Sequence, residues 1–164
     1  MRPLSLILSL LLILTFVACG VKQTAEELWS SSEKELNARQ YHRAIKALET
    51  LVDAYPDHPL APGAQLKIGD IYMNNTDDIH KSLAAYQKTS TRYPETDAGV
   101  KALFMIGFVN ANHLENYEAA REAYQDFLNR YPNHELVPSV KFELENLGKP
   151  VEEIEALKGI ANVS

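Results

Sequence analysis

The chain has 164 residues, a formal net charge of −6 and a single cysteine. An acidic chain with no basic block is poorly suited to nucleic acid or to electrostatic attraction to anionic lipid. One cysteine leaves no internal disulfide, and the length fits one compact domain.

The first twenty residues have the layout of an export signal: Arg2 gives a short positive start, and Leu4 to Val17 is apolar apart from Ser5, Ser9 and Thr15. The apolar run falls short of the roughly 20 residues that span a bilayer as a helix, which weakens the alternative of a permanent transmembrane anchor. A small residue directly before a cysteine, in Phe16-Val17-Ala18-Cys19-Gly20, resembles the bacterial lipobox, although the commonest form has leucine three residues before the cysteine. The resemblance implies a lipoprotein signal peptide over 1–18, cleavage before Cys19, diacylglycerol on its thiol and a palmitate-type acyl group on its amine. Cys19 could instead simply end an ordinary secretory signal, but that leaves a lone exported thiol without a purpose. More than one acyl chain gives stable anchoring, at about 0.8 kcal/mol per buried methylene. Residues 19–23 are then a very short lipidated tether. Loss of Arg2 leaves 15 basic against 22 acidic side chains, a charge of −7.

Beyond the tether, Tyr55-Pro56, Tyr93-Pro94 and Tyr131-Pro132 recur every 38 residues, and the flanking residues align without gaps. Ahead of each lies an amphipathic helical pattern: Ala44, Ala47, Leu48 and Leu51 in the first unit, and Ala120, Ala123, Tyr124, Phe127 and Leu128 in the third. The middle unit keeps Leu83, Ala85 and Tyr86 but has Thr89 and Ser90 where the third has Phe127 and Leu128; its packing is expected to be the loosest. Proline ends each of these helices. A second helical pattern precedes each one, over residues 64–72 and 102–109, with Gly69 and Gly107 in register. Glycine costs a helix about 0.5–1 kcal/mol relative to alanine, so its recurrence points to close helix contact.

Two antiparallel helices per unit resemble the tetratricopeptide repeat. The third unit carries the resemblance best, through Leu103, Ile106, Gly107, Ala120, Tyr124, Phe127 and Pro132. The second matches through Ile68, Gly69, Tyr72, Tyr86 and Pro94 with Ser82 at the small position, and the first has Ser31 in place of the glycine. A 38-residue period closed by Tyr-Pro is similar to that of outer-membrane lipoproteins of the BamD-like and CpoB-like kind. The resemblance implies an all-α, right-handed α-solenoid: repeats over 24–59, 60–97 and 98–135, then C-terminal capping helices over 136–164. Thr24 with Glu27 forms a capping box, Asp97 is expected to cap the helix that carries Phe104, and Gly148 and Pro150 divide the terminal pair. A charged face at Glu152, Glu153, Glu155 and Lys158 suits a solenoid end.

Chemistry is sparse. His42 and His80, like His58 and His134, sit at repeat-equivalent positions, so they are spaced along one edge rather than converging on an ion. No HExxH, CxxC, phosphate-binding glycine loop or G-x-S-x-G is present. No catalytic residue, metal, dissociable cofactor or small-molecule substrate is expected. Asn74-Asn75-Thr76 is assigned to a turn.

A surface remains. In the resembled family the first helix of each pair lines the concave side, which here presents Leu66, Asp70, Met73 and Asn74 in the second unit and Lys101, Phe104, Phe108 and Asn112 in the third. Aromatic and methionine side chains on a groove supply contact area for a partner, although Phe104 and Phe108 fit a core equally well by periodicity. The resemblance implies a non-catalytic protein-protein interaction scaffold for an envelope protein or peptide, in outer-membrane protein assembly or envelope maintenance. An accessory subunit of a periplasmic enzyme complex, for example in peptidoglycan synthesis, and a purely structural spacer stay open. Gly20, in place of the aspartate that retains lipoproteins at the inner membrane, favours the periplasmic face of the outer membrane.

Overall fold

The structure, a computed structural model, describes residues 22–150 and 153–154. The signal segment, Cys19 and the second helix expected in the C-terminal pair lie outside the described residues. Seven helices and no strands are present among those described: α1 (Ala25–Asn37), α2 (Tyr41–Ala54), α3 (Ala61–Asn75), α4 (Ile79–Arg92), α5 (Asp97–Asn112), α6 (Tyr117–Arg130) and α7 (Val137–Glu145). Each helix packs on the next, and α3 also packs directly on α5. The chain is thus an all-α, tetratricopeptide-like solenoid, as its repeat pattern requires.

Local chemistry sets the helix starts. The Thr24 hydroxyl accepts from the Glu27 amide at 3.2 Å while Glu27 accepts from the Thr24 amide at 2.9 Å, closing the expected capping box of α1. Asp78 and Asn116 cap α4 and α6 through side-chain oxygens. The cap of α5 is Thr96 rather than the expected Asp97: its hydroxyl accepts from Gly99 and donates to the Tyr93 carbonyl. Asp97 is the first helical residue instead. Asn74 and Asn75, expected in a turn, close α3, and the turn begins at Thr76. Within each unit the helices are joined through one residue with positive φ: Arg39 at 57°, Asp77 at 55° and Glu115 at 51°. These left-handed positions are themselves 38 residues apart.

Packing follows the repeat. α2 buries Ala44, Ile45, Leu48, Leu51 and Val52, and α6 buries Ala120, Ala123, Tyr124 and Phe127. Between them Thr89 and Ser90 are buried, but their hydroxyls turn back to the carbonyls of Ala85 and Gln87 on their own helix. The apolar volume supplied by Phe127 and Leu128 one unit later is therefore missing here, as the sequence implies.

Two tyrosine contacts set the geometry. The rings of Tyr86 and Tyr124, both fully buried, lie on Gly69 and Gly107 of the preceding helix. A methyl carbon at Gly69 would fall 2.6 Å from the Tyr86 ring, and one at Gly107 would overlap Tyr124. Glycine thus allows the two helices of a unit to approach within a ring's thickness. A second tyrosine set joins unit to unit. The Tyr93 hydroxyl donates to the Pro56 carbonyl at 3.1 Å, and Tyr131 donates to Pro94 at 2.8 Å. In the first unit Tyr55 donates to the carbonyl of Gln23, immediately before the α1 cap, at 2.7 Å. Lys22 places its ammonium 5.0 Å above the Tyr55 ring, a cation–π contact.

α7 aligns as the first helix of a fourth unit, with Val140 at the position of Ala102 and Ala64, and it is fully buried. The glycine position is taken by Glu145, however, and Gly148 turns the chain with φ of 77°.

Gly107→Ala tests the close contact. Alanine gains about 1 kcal/mol in helix propensity, but its overlap with a buried ring costs about 1–3 kcal/mol or more. Net destabilisation is expected in thermal unfolding followed by circular dichroism; a raised midpoint would contradict the packing.

Candidate functional site

Of the eight side chains expected on the first-helix face, Asn74 is exposed at the end of α3 and the other seven fall into three groups. Leu66 and Met73 are half-buried and pack into a cluster with Tyr86, Ala102 and Val109, where α3 meets α5. Asp70, between them on α3, accepts a hydrogen bond from the Tyr86 hydroxyl at 2.7 Å, and the Met73 sulfur lies 4.0 Å from the same oxygen. These three residues therefore converge on Tyr86. Phe104 and Phe108 form a second group, half-buried with ring centroids 6.4 Å apart. Phe104 also stands 6.1 Å from Tyr124 and packs on the α5–α7 core, while Phe108 meets His113 at 5.9 Å. Phe104 is thus shared between core and surface, whereas Phe108 packs on Phe104 and His113.

Asn112 and Lys101 are exposed. Asn112 donates to the Phe108 carbonyl at 3.1 Å and borders a cavity of about 350 Å³ shared with Phe142, Glu143 and Asn146 of α7. Lys101 is tied to Asp97 at 2.8 Å, one turn earlier on α5.

α7 extends the same face. Phe142 and Asn146 are the repeat equivalents of Phe104 and Phe108, a register available in the sequence once α7 is taken as a first helix rather than a cap. Glu143 joins them with its carboxyl pushed above the ordinary range by burial, against the lowering effects of the nearby Asn112 and Tyr124 side chains. The Tyr124 hydroxyl faces this carboxyl but closes no hydrogen bond of good geometry, because Phe108 occupies the position from which Asp70 serves Tyr86. Burial, reinforced by the neighbouring carboxylate, pushes the Tyr86 hydroxyl far above its usual value, and burial and Glu143 do the same to Tyr124. Both phenols stay protonated, and Tyr86 donates to Asp70.

The histidines are local fixtures. The Nδ1 atoms of His58 and His134 accept from the amides of Leu60 and Leu136 at 3.2 and 3.1 Å, and His58 Nε2 lies 3.1 Å from Glu26. Among the described residues no group of three or more His, Cys, Asp or Glu is placed to hold a metal ion. A cavity of about 770 Å³ lies on the other side of α5, between α4 and α6, and none of those eight side chains lines it.

Asp70 gives the face a pH signature. Burial raises its pKa above the ordinary value, against the lowering effects of Tyr86 and Lys67. A carboxyl raised on folding contributes stability below its unfolded pKa and loses it as pH rises through the folded value. Asp70→Asn keeps an acceptor for Tyr86 and removes the charge. Its unfolding midpoint is expected to exceed the parent's at pH 7, with the gap narrowing toward pH 4; a gap independent of pH would contradict the assignment.

No helix among the described residues is long and apolar enough to cross a membrane. Comparison with curated proteins finds no match. The model of the family described as YfiO, outer membrane lipoprotein, matches residues 21–153, covering all seven helices and both tyrosine sets. The chain therefore belongs to the YfiO family of outer membrane lipoproteins, a BamD-like tetratricopeptide family.

Proposed function

We propose that this chain is a lipid-anchored, non-catalytic scaffold on the periplasmic face of the outer membrane, where its first-helix face holds an envelope protein or peptide during outer-membrane protein assembly or envelope maintenance. Membership of an outer membrane lipoprotein family supports the location and an envelope interaction role. The observation that carries the mechanism is the continuous face over α3, α5 and α7. Leu66, Met73, Phe104 and Phe108 are half-buried there, the first three packed on the core and Phe108 on Phe104. Such preorganised aromatic and methionine groups bind a partner at low entropic cost, since their rotamers are already restricted. Asp70, Asn112 and Glu143 add polar groups that fix a partner's register.

Cys19 would carry the diacylglycerol and acyl chains. Only Gly20 and Val21 separate it from Lys22, three Cα steps on, so the fold can stand no more than about 11 Å of extended chain from the lipidated residue. The Tyr55 bond to Gln23 holds the start of the fold to the first unit, which keeps the tether short.

Chemical crosslinking in native membranes, with mass identification of partners, tests the reading. Parent protein is expected to yield discrete envelope partners, and Phe104→Glu with Phe108→Glu, if folded by circular dichroism, to lose them. A partner set unchanged by these substitutions would point to a spacer. Cys19→Ser is expected to abolish incorporation of radiolabelled palmitate; continued labelling would refute the anchor.

A further inference from the structure

The seam between successive second helices recurs along the stack, and its two instances differ in size and charge. Between α2 and α4 it is a shallow cavity of about 230 Å³, bordered by Glu49, Tyr72, Lys81 and Lys88. One repeat on, the equivalent residues Gln87, Asn110, Ala119 and Asp126 border the cavity of about 770 Å³ between α4 and α6. Particular side chains account for the difference. In the first seam Lys81 lies 5.4 Å over the Tyr72 ring; in the second, alanine and asparagine replace that stacked pair. Ser90 also stands where the first unit has the buried Val52.

The open seam has an apolar floor and one charged wall. Leu83, Leu103 and Ile106 form the floor, with Leu103 nearly fully buried. The α4 wall offers only uncharged polar groups, Gln87, Ser90 and Thr91. The α6 wall carries Glu122 and Asp126, with Arg130 at its far end. Asp126 is held by Arg130 at 3.1 Å, whereas Glu122 has no ion-pair partner among the described residues. At these two positions the first seam has Ala84 and Lys88, so the sign of the wall reverses between seams.

We propose that the α4–α6 seam is a docking groove for a short basic amphipathic helix of a partner protein, a second surface independent of the lipid anchor and of the first-helix face. The groove follows α6 from Ala119 to Arg130, about 16 Å at a helical rise of 1.5 Å per residue, which matches three helical turns. Its walls are helices whose backbone groups are already paired, so an extended strand would find no edge to join, while a helix satisfies its own backbone. An apolar stripe would fill the floor, and a lysine or arginine beside it would pair with Glu122. A second copy of this chain, with its net charge of −6, is the poorer electrostatic match.

The test is a nuclear magnetic resonance titration of the full-length chain with two synthetic amphipathic peptides of about three turns, one leucine-striped with flanking lysines and the other leucine-striped with flanking glutamates. The lysine peptide is expected to bind saturably, with shifts confined to α4, α5 and α6. Refilling the seam with Ser90→Val and Asn110→Tyr should weaken it about tenfold or more, equivalent to about 1.4 kcal/mol. The exposed substitution Glu122→Lys, which leaves the core untouched, should weaken the lysine peptide and strengthen the glutamate peptide. Absence of saturable binding, equal binding of the two peptides, or indifference to both Glu122→Lys and a folded refilled variant would overturn the proposal.

Discussion

The hydrogen bond from each Tyr-Pro tyrosine to the preceding unit is the contact on which the stack depends. Each of these residues does three things at once. Its amide closes the helix before it, as Tyr93 does on Thr89 at 2.9 Å and Tyr131 on Phe127 at 2.8 Å. Its ring occupies the junction between units, half-buried. Its hydroxyl reaches the carbonyl of the preceding proline, a group that the helix end leaves without a partner. Proline itself forces the chain out of the helix and presents that carbonyl for the next unit. One dipeptide therefore both ends a unit and registers it on its neighbour, and Tyr55 applies the same bond to Gln23 at the start of the fold.

The second tyrosine set determines what surfaces the stack can offer. Tyr86 and Tyr124 on their glycines draw the helices of each unit together, which lets α3 and α5 touch and places their outward residues on one continuous face. On the opposite side, the space between α4 and α6 is left to whatever their side chains fill. Where these are small, as at Ser90, Asn110 and Ala119, a groove opens. One set of contacts thus yields a preorganised face and a seam whose depth is set residue by residue. At α7 the register position of Gly69 and Gly107 is held by Glu145, which leaves no bare backbone there for a ring to lie on as Tyr124 does on Gly107.

Much of this was legible in the sequence, because it is periodic. The 38-residue register marks the helix pairs, and Gly69 and Gly107 announce a close contact whose partner tyrosines lie in the next helix. The capping box at Thr24 needs only two residues at a fixed spacing. Other features required coordinates. The residues with positive φ are Arg39, Asp77 and Glu115, side-chain types that give no signal of a left-handed turn. Thr96 wins the cap of α5 over Asp97 because its hydroxyl also reaches the Tyr93 carbonyl, a contact made through the chain's path between units. The tyrosine hydroxyl bonds span 37 residues, so nothing local predicts them. Register alone points to the first-helix face, but it does not show that Leu66, Asp70 and Met73 meet at Tyr86 whereas Lys101 pairs with Asp97.

Tyr93→Phe is the most direct test of the central claim, since it deletes one hydroxyl from the middle junction and leaves the ring in place. Loss of the bond and an unpaired carbonyl at Pro56 should lower unfolding free energy by about 1–3 kcal/mol in a urea titration. Amide exchange should accelerate at the junction of the first and second units. A variant as stable and as protected there as the parent would show that the units are held in register by something other than these tyrosines.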